Sequence, residues 1–127
     1  MTGYTGNIET LTIGNSYFRQ VVFTAAHSQL VIMCLQPNED IGMEMHPNVD
    51  QFFRLEEGEG KVIMNGEEHV VKNGDAIIVP AGTQHNVINT SPSQPLKLYT
   101  IYSPPNHKDG VVHKTKAEAE ADKNDHV

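Results

Sequence analysis

Short stretches of apolar and β-branched residues, each followed by a turn-forming group, make up most of this sequence. The clearest break is Asn65-Gly66, a pair that readily takes the positive φ angles of a tight hairpin turn. It separates the runs 61–64 and 68–71, which both have strand character. Because helices need longer runs with a different periodicity, this pattern predicts an all-β fold of the barrel or sandwich type.

Apolar runs of strand length occur on both sides of this hairpin. They predict strands at Phe18–Thr24, Gln29–Gln36, Met43–Glu56, Lys61–Met64, Glu68–Val71, Ala76–Val79, Asn86–Asn89 and Leu96–Tyr102. We expect the sheet to end at Pro104-Pro105, because proline has no backbone N–H to give to a ladder. In the polar segment that follows, Thr115 and Glu118 have the spacing of a capping box, which predicts a short helix or a tail. Residues 1–113 are therefore predicted to form one barrel domain, and residues 114–127 a polar C-terminal helix or tail.

Composition limits the partners that we expect. The formal net charge of -7 would repel phosphate backbones, so nucleic acid is not an expected partner. The sequence has no apolar stretch long enough to cross a bilayer and no leader-like N-terminus, so we expect no membrane partner and a cytoplasmic setting. The lone cysteine, Cys34, lies within an apolar run and is interpreted as a buried small hydrophobe rather than a catalytic thiol.

Four polar residues have a spacing that suits a metal site. Glu44 and His46 are two residues apart, so on a strand both point to the same face, and Gln51 follows closely. His85 comes after a turn that ends a predicted strand, where it can approach the first group. Two imidazoles, a carboxylate and an amide oxygen suit a borderline divalent metal. A metal-free hypothesis stays open, in which Glu44 pairs with a histidine or with Arg54 and Gln51 satisfies buried polar groups.

Two blocks of the sequence resemble the cupin family, that is, small single-domain proteins of the RmlC-like jelly-roll type. The second block matches the family motif in full, with its glycines, proline, histidine and asparagine at Gly74, Pro80, Gly82, His85 and Asn89. The resemblance implies a double-stranded β-helix, the cupin jelly-roll barrel. It covers the region from residue 38 to residue 89, and the flanking strands agree in β character.

The first block, residues 38–58, keeps His46 and Gly58 of the family pattern but carries three replacements. Asn38 stands for a glycine, Glu44 for a histidine and Gln51 for a glutamate. The carboxylate has therefore changed position within a set of ligands that keeps the charge of the family's three histidines and one glutamate. The resemblance implies one divalent ion, zinc, manganese, iron or nickel, held by Glu44, His46, Gln51 and His85. The two imidazoles and the carboxylate would form an open triad, with Gln51 as a weaker fourth ligand.

Such a barrel is expected to bind or act on a small polar molecule, a sugar or an organic acid. Sugar isomerisation is one hypothesis, because small cupins look like the metal-binding barrel of phosphomannose isomerases, and Glu44 would then be the catalytic residue that moves a proton. A metal-dependent dioxygenase and a non-catalytic binding module are the alternatives. Alternation along the strand places Phe53 on the inner face with Gln51 and points Phe52 and Arg54 outward, where a second subunit of a homodimer would cover the phenyl ring.

The remaining histidines and the methionines have weaker functional interpretations. His107 and His113 either close over the barrel mouth or are simply solvated, and the second interpretation is favoured. His27 and His69 lie beside turns and are expected to face water, and His126 lies in the tail. The methionines at positions 33, 43, 45 and 64 are expected to fill core or interface rather than to line a soft ligand pocket.

Overall fold

Two antiparallel sheets pack face to face in the structure, a computed structural model in which residues 2–127 are described. The elements, in chain order, are α1 (Ile8–Ile13), β1 (Arg19–Thr24), β2 (Gln29–Leu35), β3 (Asp50–Glu57), β4 (Glu59–Met64), β5 (Glu67–Lys72), β6 (Ala76–Val79), β7 (His85–Asn89), β8 (Leu96–Ser103), β9 (Val112–His113) and α2 (Lys116–Ala121). The larger sheet has the strand order β6-β3-β8-β2-β1-β9, and the smaller has β5-β4-β7. The fold is therefore all-β, as predicted, and it carries two short helices.

The hydrophobic core lies between the inner faces of the two sheets. On β3, the side chains of Gln51, Phe53 and Leu55 are buried, whereas Phe52 and Arg54 point to the outer face and are half-buried. This alternation is the one predicted from the sequence. Members of the core come from both sheets and include Val31, Met33, Leu35, Phe53, Leu55, Val62, Val71, Val87, Leu96 and Leu98.

The hairpin between β4 and β5 confirms the strongest local prediction. Asn65 and Gly66 have φ angles of 49° and 83°, and Met64 lies opposite Glu67 in the ladder. Only a residue pair that tolerates positive φ can close a turn this short.

The first half of the predicted strand Met43–Glu56 is not a strand, because β3 begins only at Asp50. Residues 39–44 instead run irregularly beside β7, to which they are joined by single bridges. Glu44 and His85 form one of these bridges, and each backbone N–H donates to the other residue's carbonyl at 2.8 Å. The bend before this bridge is at Gly42, which has a φ of 106°. The result is that Glu44 lies directly opposite His85.

The C-terminal region contains more ordered structure than expected. The sheet continues past Pro104-Pro105 with β9, which pairs with β1, so the predicted end of the sheet is wrong. Helix α2 is capped as predicted: the side chain of Thr115 accepts a hydrogen bond from the backbone N–H of Glu118. Beyond α2 the chain folds back along the segment that follows β8, where His107 and His126 form a bridge.

Further observations concern single residues and helices. Cys34 is buried, as a small hydrophobe should be. Met33 is also buried, and Met64 packs against the core. Met43 and Met45, which alternate with Glu44 and His46, are 51% and 52% exposed, so they do not fill the core, and their place in an interface stays a prediction. Within residues 2–127, no helix combines the length and the apolar character that crossing a bilayer requires. Helix α1 was not predicted; its N-cap is Asn7, whose side chain accepts from the N–H of Thr10.

Candidate metal centre

The four residues singled out in the sequence lie together at one end of the barrel. Ligand atoms of Glu44, His46 and His85 are all within 4.8 Å of one another. The amide oxygen of Gln51 lies 3.2 Å from Nε2 of His85. The residues come from three places: the irregular segment before β3, the start of β3, and the first position of β7.

Gln51 is fixed in place by the larger sheet. It is 2% exposed, and its amide nitrogen donates a hydrogen bond to the hydroxyl of Thr100 on the neighbouring strand at 3.0 Å. This contact turns Oε1 toward His85. A buried amide oxygen needs a partner, because leaving it unpaired costs stability.

His85 presents a lone pair to that oxygen. Its Nδ1 lies 2.9 Å from the carbonyl oxygen of Thr83, and because a carbonyl can only accept, Nδ1 carries the proton. In the neutral imidazole Nε2 is then an acceptor, and it faces Oε1 of Gln51, a second acceptor. A cation between the two atoms would turn this repulsive contact into an attractive one. A histidine whose other nitrogen donates to a backbone carbonyl is also the usual arrangement of imidazole metal ligands.

Glu44 and His46 form a close pair, with 3.1 Å between Oε2 and Nε2. Burial raises the pKa of the Glu44 carboxyl, but the hydrogen bond and positive charge of His46, together with the charge of Arg19, lower the pKa by more, so it stays below its ordinary value. The carboxylate is therefore ionised at neutral pH. A histidine partner for Glu44 is also what the metal-free hypothesis expects, whereas Arg54 pairs with Glu56 instead.

The donor set and its charge suit a divalent ion. It offers imidazole nitrogens, one carboxylate and one amide oxygen, a mixture that borderline metals accept. With His85 neutral, the facing acceptors of Gln51 and His85 favour a cation, because without one the contact needs a proton on Nε2 or the opposite orientation of the Gln51 amide. On geometry and chemistry the residues fit such an ion.

Tyr102 borders the same group of residues and was not predicted to do so. It lies opposite Gln51 in the ladder between β3 and β8, and its ring centroid is 6.0 Å from that of His46. Burial raises its pKa far above the ordinary value, so the hydroxyl stays neutral. The signal was in the sequence: Tyr102 shares the inward periodicity of β8 with Leu98 and Thr100.

His107 and His113 are buried, so the favoured interpretation that they are solvated is wrong. Nε2 of His107 contacts the Tyr102 hydroxyl at 3.2 Å. His113 accepts from Arg19 through Nδ1 and donates to Asp122 through Nε2. Both are buried by tertiary contacts, because β9, which contains His113, pairs with β1, and the last residues of the chain lie against His107. His27 and His69 are exposed, as predicted.

A cavity of about 160 Å³ adjoins Glu44 between the barrel and the C-terminal segment. Its lining consists of Phe18, Arg19, Ile41, Glu44, Lys116, Ala119, Glu120, Asp122, Asp125 and His126. A larger surface groove, about 430 Å³, lies beside α1, but the residues lining it in the described chain include no imidazole or carboxylate. The smaller cavity touches the candidate site through Glu44 alone, since His46, Gln51 and His85 do not line it.

Known proteins with similar sequences and structures share this fold. A crystal structure of a Bacillus halodurans protein superposes with a TM-score of 0.91 at 47% sequence identity, and the match covers 94% of each chain. The uncharacterized protein YrkC of Bacillus subtilis is 52% identical over 121 residues, which are 91% of this chain and 64% of YrkC. An uncharacterized protein of Acanthamoeba polyphaga mimivirus is 44% identical over 113 residues, 86% of this chain and 70% of that protein. This chain thus spans less than two thirds of the length of YrkC.

The sequence profile that describes the Cupin domain matches residues 31–102, which is more than half of the chain. That region runs from β2 to β8 and contains all four residues of the candidate metal centre. The chain belongs to the cupin family.

Proposed function

We propose that this cupin holds one divalent metal ion through Glu44, His46, Gln51 and His85, and that it binds or acts on a small polar molecule beside that ion. The observation that carries the proposal is the contact between Nε2 of His85 and Oε1 of Gln51, two acceptors that face each other at 3.2 Å in the barrel. Zinc, manganese, iron and nickel all accept such a mixed set of ligands.

Each protein group has a separate role in the proposed chemistry. The bound ion would polarise a carbonyl or hydroxyl group of the ligand. Glu44 is ionised because its pKa is lowered, and a carboxylate oxygen that does not hold the ion can accept a proton from a carbon or oxygen atom and return it. The hydroxyl of Tyr102 stays neutral and contacts Nε2 of His107 at 3.2 Å, so this buried residue adds no charge beside the ion.

The cavity limits the size of the ligand. Its volume of about 160 Å³ holds about five water molecules at about 30 Å³ each. A small organic acid or a short sugar is the class that fits. For a sugar isomerase, Glu44 would move a proton between the carbons of a hydroxycarbonyl unit. A phosphorylated sugar is disfavoured, because the basic residues that line the cavity, Arg19 and Lys116, already pair with Asp125 and Asp40. Lys61 and Lys97 pair away from the site, with Glu68 and with the carbonyl of Ile13.

Oxygen chemistry is the second candidate. Glu44, His46 and His85 form a set of two histidines and one carboxylate, the ligand triad of many iron oxygenases, and it leaves coordination positions open. A non-catalytic binding module would use the same residues without turnover.

Metal content tests the site itself. Protein purified without an affinity tag is analysed by elemental mass spectrometry, alongside His85→Ala and the control His69→Ala. His69 is exposed and pairs only with Glu67, so its loss should leave metal binding unchanged. We expect His85→Ala to lower the bound metal by one ion per chain. Protein that contains no metal and takes up none on soaking with zinc, manganese, iron or nickel contradicts the proposal.

A turnover screen separates the enzymatic hypotheses. Sugars, sugar phosphates and oxidisable acids are incubated with the metal-loaded protein and with Glu44→Gln. Loss of turnover in Glu44→Gln with ligand binding retained supports a role in proton transfer. Ligand binding without turnover in any class rules out both enzymatic hypotheses and supports the binding module.

A further inference from the structure

A second group of metal-ligand atoms lies where the end of the chain meets the segment after β8. His107, Asp125 and His126 each offer one ligand atom, and these atoms are all within 4.8 Å of one another. None of the three belongs to the candidate centre around Glu44. Two imidazoles and a carboxylate are again a set that borderline divalent metals prefer.

The backbone holds the two histidines side by side. His107 and His126 form an antiparallel bridge, and their ring centroids are 4.9 Å apart. The N–H of Lys108 donates to the carbonyl of Asp125 at 2.6 Å, and the N–H of Val127 donates to the carbonyl of Asn106 at 3.1 Å. The positions of the donor side chains are therefore set by main-chain pairing.

His107 carries a buried nitrogen without a hydrogen-bond partner. The residue is 1% exposed, and its Nε2 contacts the hydroxyl of Tyr102. Nδ1 has no hydrogen-bond partner among the described residues, although a carboxylate oxygen of Asp125 lies only 3.3 Å away, because that contact lacks hydrogen-bond geometry. Buried polar atoms are rarely left unpaired, so this nitrogen points to a ligand.

Asp125 supplies the negative charge. It is 3% exposed, and while Oδ2 faces His107, Oδ1 lies 2.8 Å from Nδ1 of His126. The Arg19 guanidinium, 3.8 Å from Oδ2, opposes a cation here but is too far for a hydrogen bond. Additional carboxylates, those of Glu120, Asp122 and Glu44, line the adjoining cavity together with His126, and they favour a cation.

We propose that His107, Asp125 and His126 form a second metal site, which takes a borderline divalent ion such as Zn²⁺ or Ni²⁺. The 3.3 Å between Oδ2 of Asp125 and Nδ1 of His107 matches the separation of neighbouring ligands, and the 2.8 Å between Oδ1 and Nδ1 of His126 is slightly shorter. Bonds of about 2.1 Å place such ligands about 3.0–3.4 Å apart.

The proposed ion has a structural consequence for the cavity. It joins the last residues of the chain to the segment after β8, and those last residues form one wall of the cavity beside Glu44. The second site would therefore hold this wall against the barrel whatever reaction, if any, the barrel performs.

Zinc stoichiometry tests the second site. Tag-free protein, freed of metal with a chelator, is titrated with Zn²⁺ in a calorimeter, and the bound zinc is counted by elemental mass spectrometry. The intact chain and the His69→Ala control are expected to bind about two ions per chain, and His126→Ala about one. The His126 side chain is 55% exposed, so its removal should not prevent folding.

His85→Ala separates this proposal from the proposed function. If only the second site exists, the intact chain binds about one ion, which His126→Ala loses and His85→Ala keeps. Asp125→Asn, which keeps the shape of the side chain, should weaken the same ion by at least about tenfold. Zinc binding that is the same in the intact chain, His126→Ala and Asp125→Asn would overturn the second site.

Discussion

His85 and Gln51 each present an acceptor to the other, and this contact is decided by two single hydrogen bonds. The carbonyl oxygen of Thr83 accepts a hydrogen bond from Nδ1 of His85, and the hydroxyl of Thr100 accepts one from the amide nitrogen of Gln51. Each bond determines which atom of its side chain is left to face the interior. A change of charge at position 51 should therefore change the affinity of the site for a cation.

We predict that Gln51→Glu tightens zinc binding by about tenfold or more while destabilising the metal-free protein. The added carboxylate strengthens attraction to the ion, but position 51 is 2% exposed, and an unpaired buried charge costs several kcal/mol. Calorimetric titration with Zn²⁺ and thermal unfolding in a chelator measure the two effects. Equal melting temperatures of the two metal-free proteins would contradict this account.

At the scale of elements, the parts of the molecule that depend on local sequence were predictable, and those that depend on contacts between distant residues were not. The β4–β5 hairpin and β6 follow from turn residues and apolar runs that act locally, so their positions were predictable. The burial of His107 depends on a chain end that folds back over it, a contact between distant residues that no local pattern encodes. The turn before His85 allowed it to approach Glu44, but because the two residues are far apart in sequence, only the family resemblance implied that they share a site.

Helix α2 is joined to the barrel by an ion pair between Lys116 and Asp40. Partial burial raises the pKa of Asp40, but the hydrogen bonds from Lys116 and Asn86 lower it by a larger amount. The net pKa is therefore below its ordinary value of 3.8. A lowered native pKa stabilises the fold above pH 3.8, and this stabilisation is lost as the pH falls through the native pKa.

We predict that Asp40→Asn lowers the free energy of unfolding by about 0.5–1 kcal/mol at pH 7, a small effect because the pair is partly exposed. The difference between the variant and the intact chain should shrink as the pH falls below 3.8. Urea denaturation at pH 7 and at several acidic pH values measures it. A difference that stays constant with pH would show that the carboxylate charge is not the cause.

Strands β4 and β7 approach each other at Gly60. A Cβ atom at this position would overlap the carbonyl oxygen of Ile88 and lie 3.1 Å from Cδ2 of Leu96. We predict that Gly60→Ala destabilises the protein by about 1–3 kcal/mol, as overpacking does. Urea denaturation compares it with Glu59→Ala on the same strand, which is exposed and should change stability by less than about 0.5 kcal/mol. Equal effects of the two substitutions would contradict the close approach.

On the scale of the whole molecule, the outer face of the larger sheet is incompletely covered. Ile78 is 66% exposed and lies opposite Phe52 in the ladder, and the phenyl ring is 6.1 Å from that of Tyr99. Exposed apolar groups that adjoin one another on a sheet favour a protein partner. We propose that this face forms the interface of a homodimer.

We predict that Ile78→Lys shifts the protein from dimer to monomer, because a charge in an apolar interface loses its hydration without gaining a partner. Light scattering coupled to size-exclusion chromatography measures the mass. Val70→Lys is the matched control: Val70 is 90% exposed on β5, in the other sheet, and should leave the mass unchanged. An intact chain that elutes as a monomer at all concentrations would rule out the dimer.

The backbone bridge between Glu44 and His85 has a consequence for the cost of binding. Two groups from remote parts of the chain are already clamped by a pair of main-chain hydrogen bonds, so the entropy of bringing them together is lost on folding and not on capture of an ion. A preorganised site of this kind needs little rearrangement. The amide hydrogens of Glu44 and His85 should therefore exchange slowly with deuterated water both before and after an ion is added.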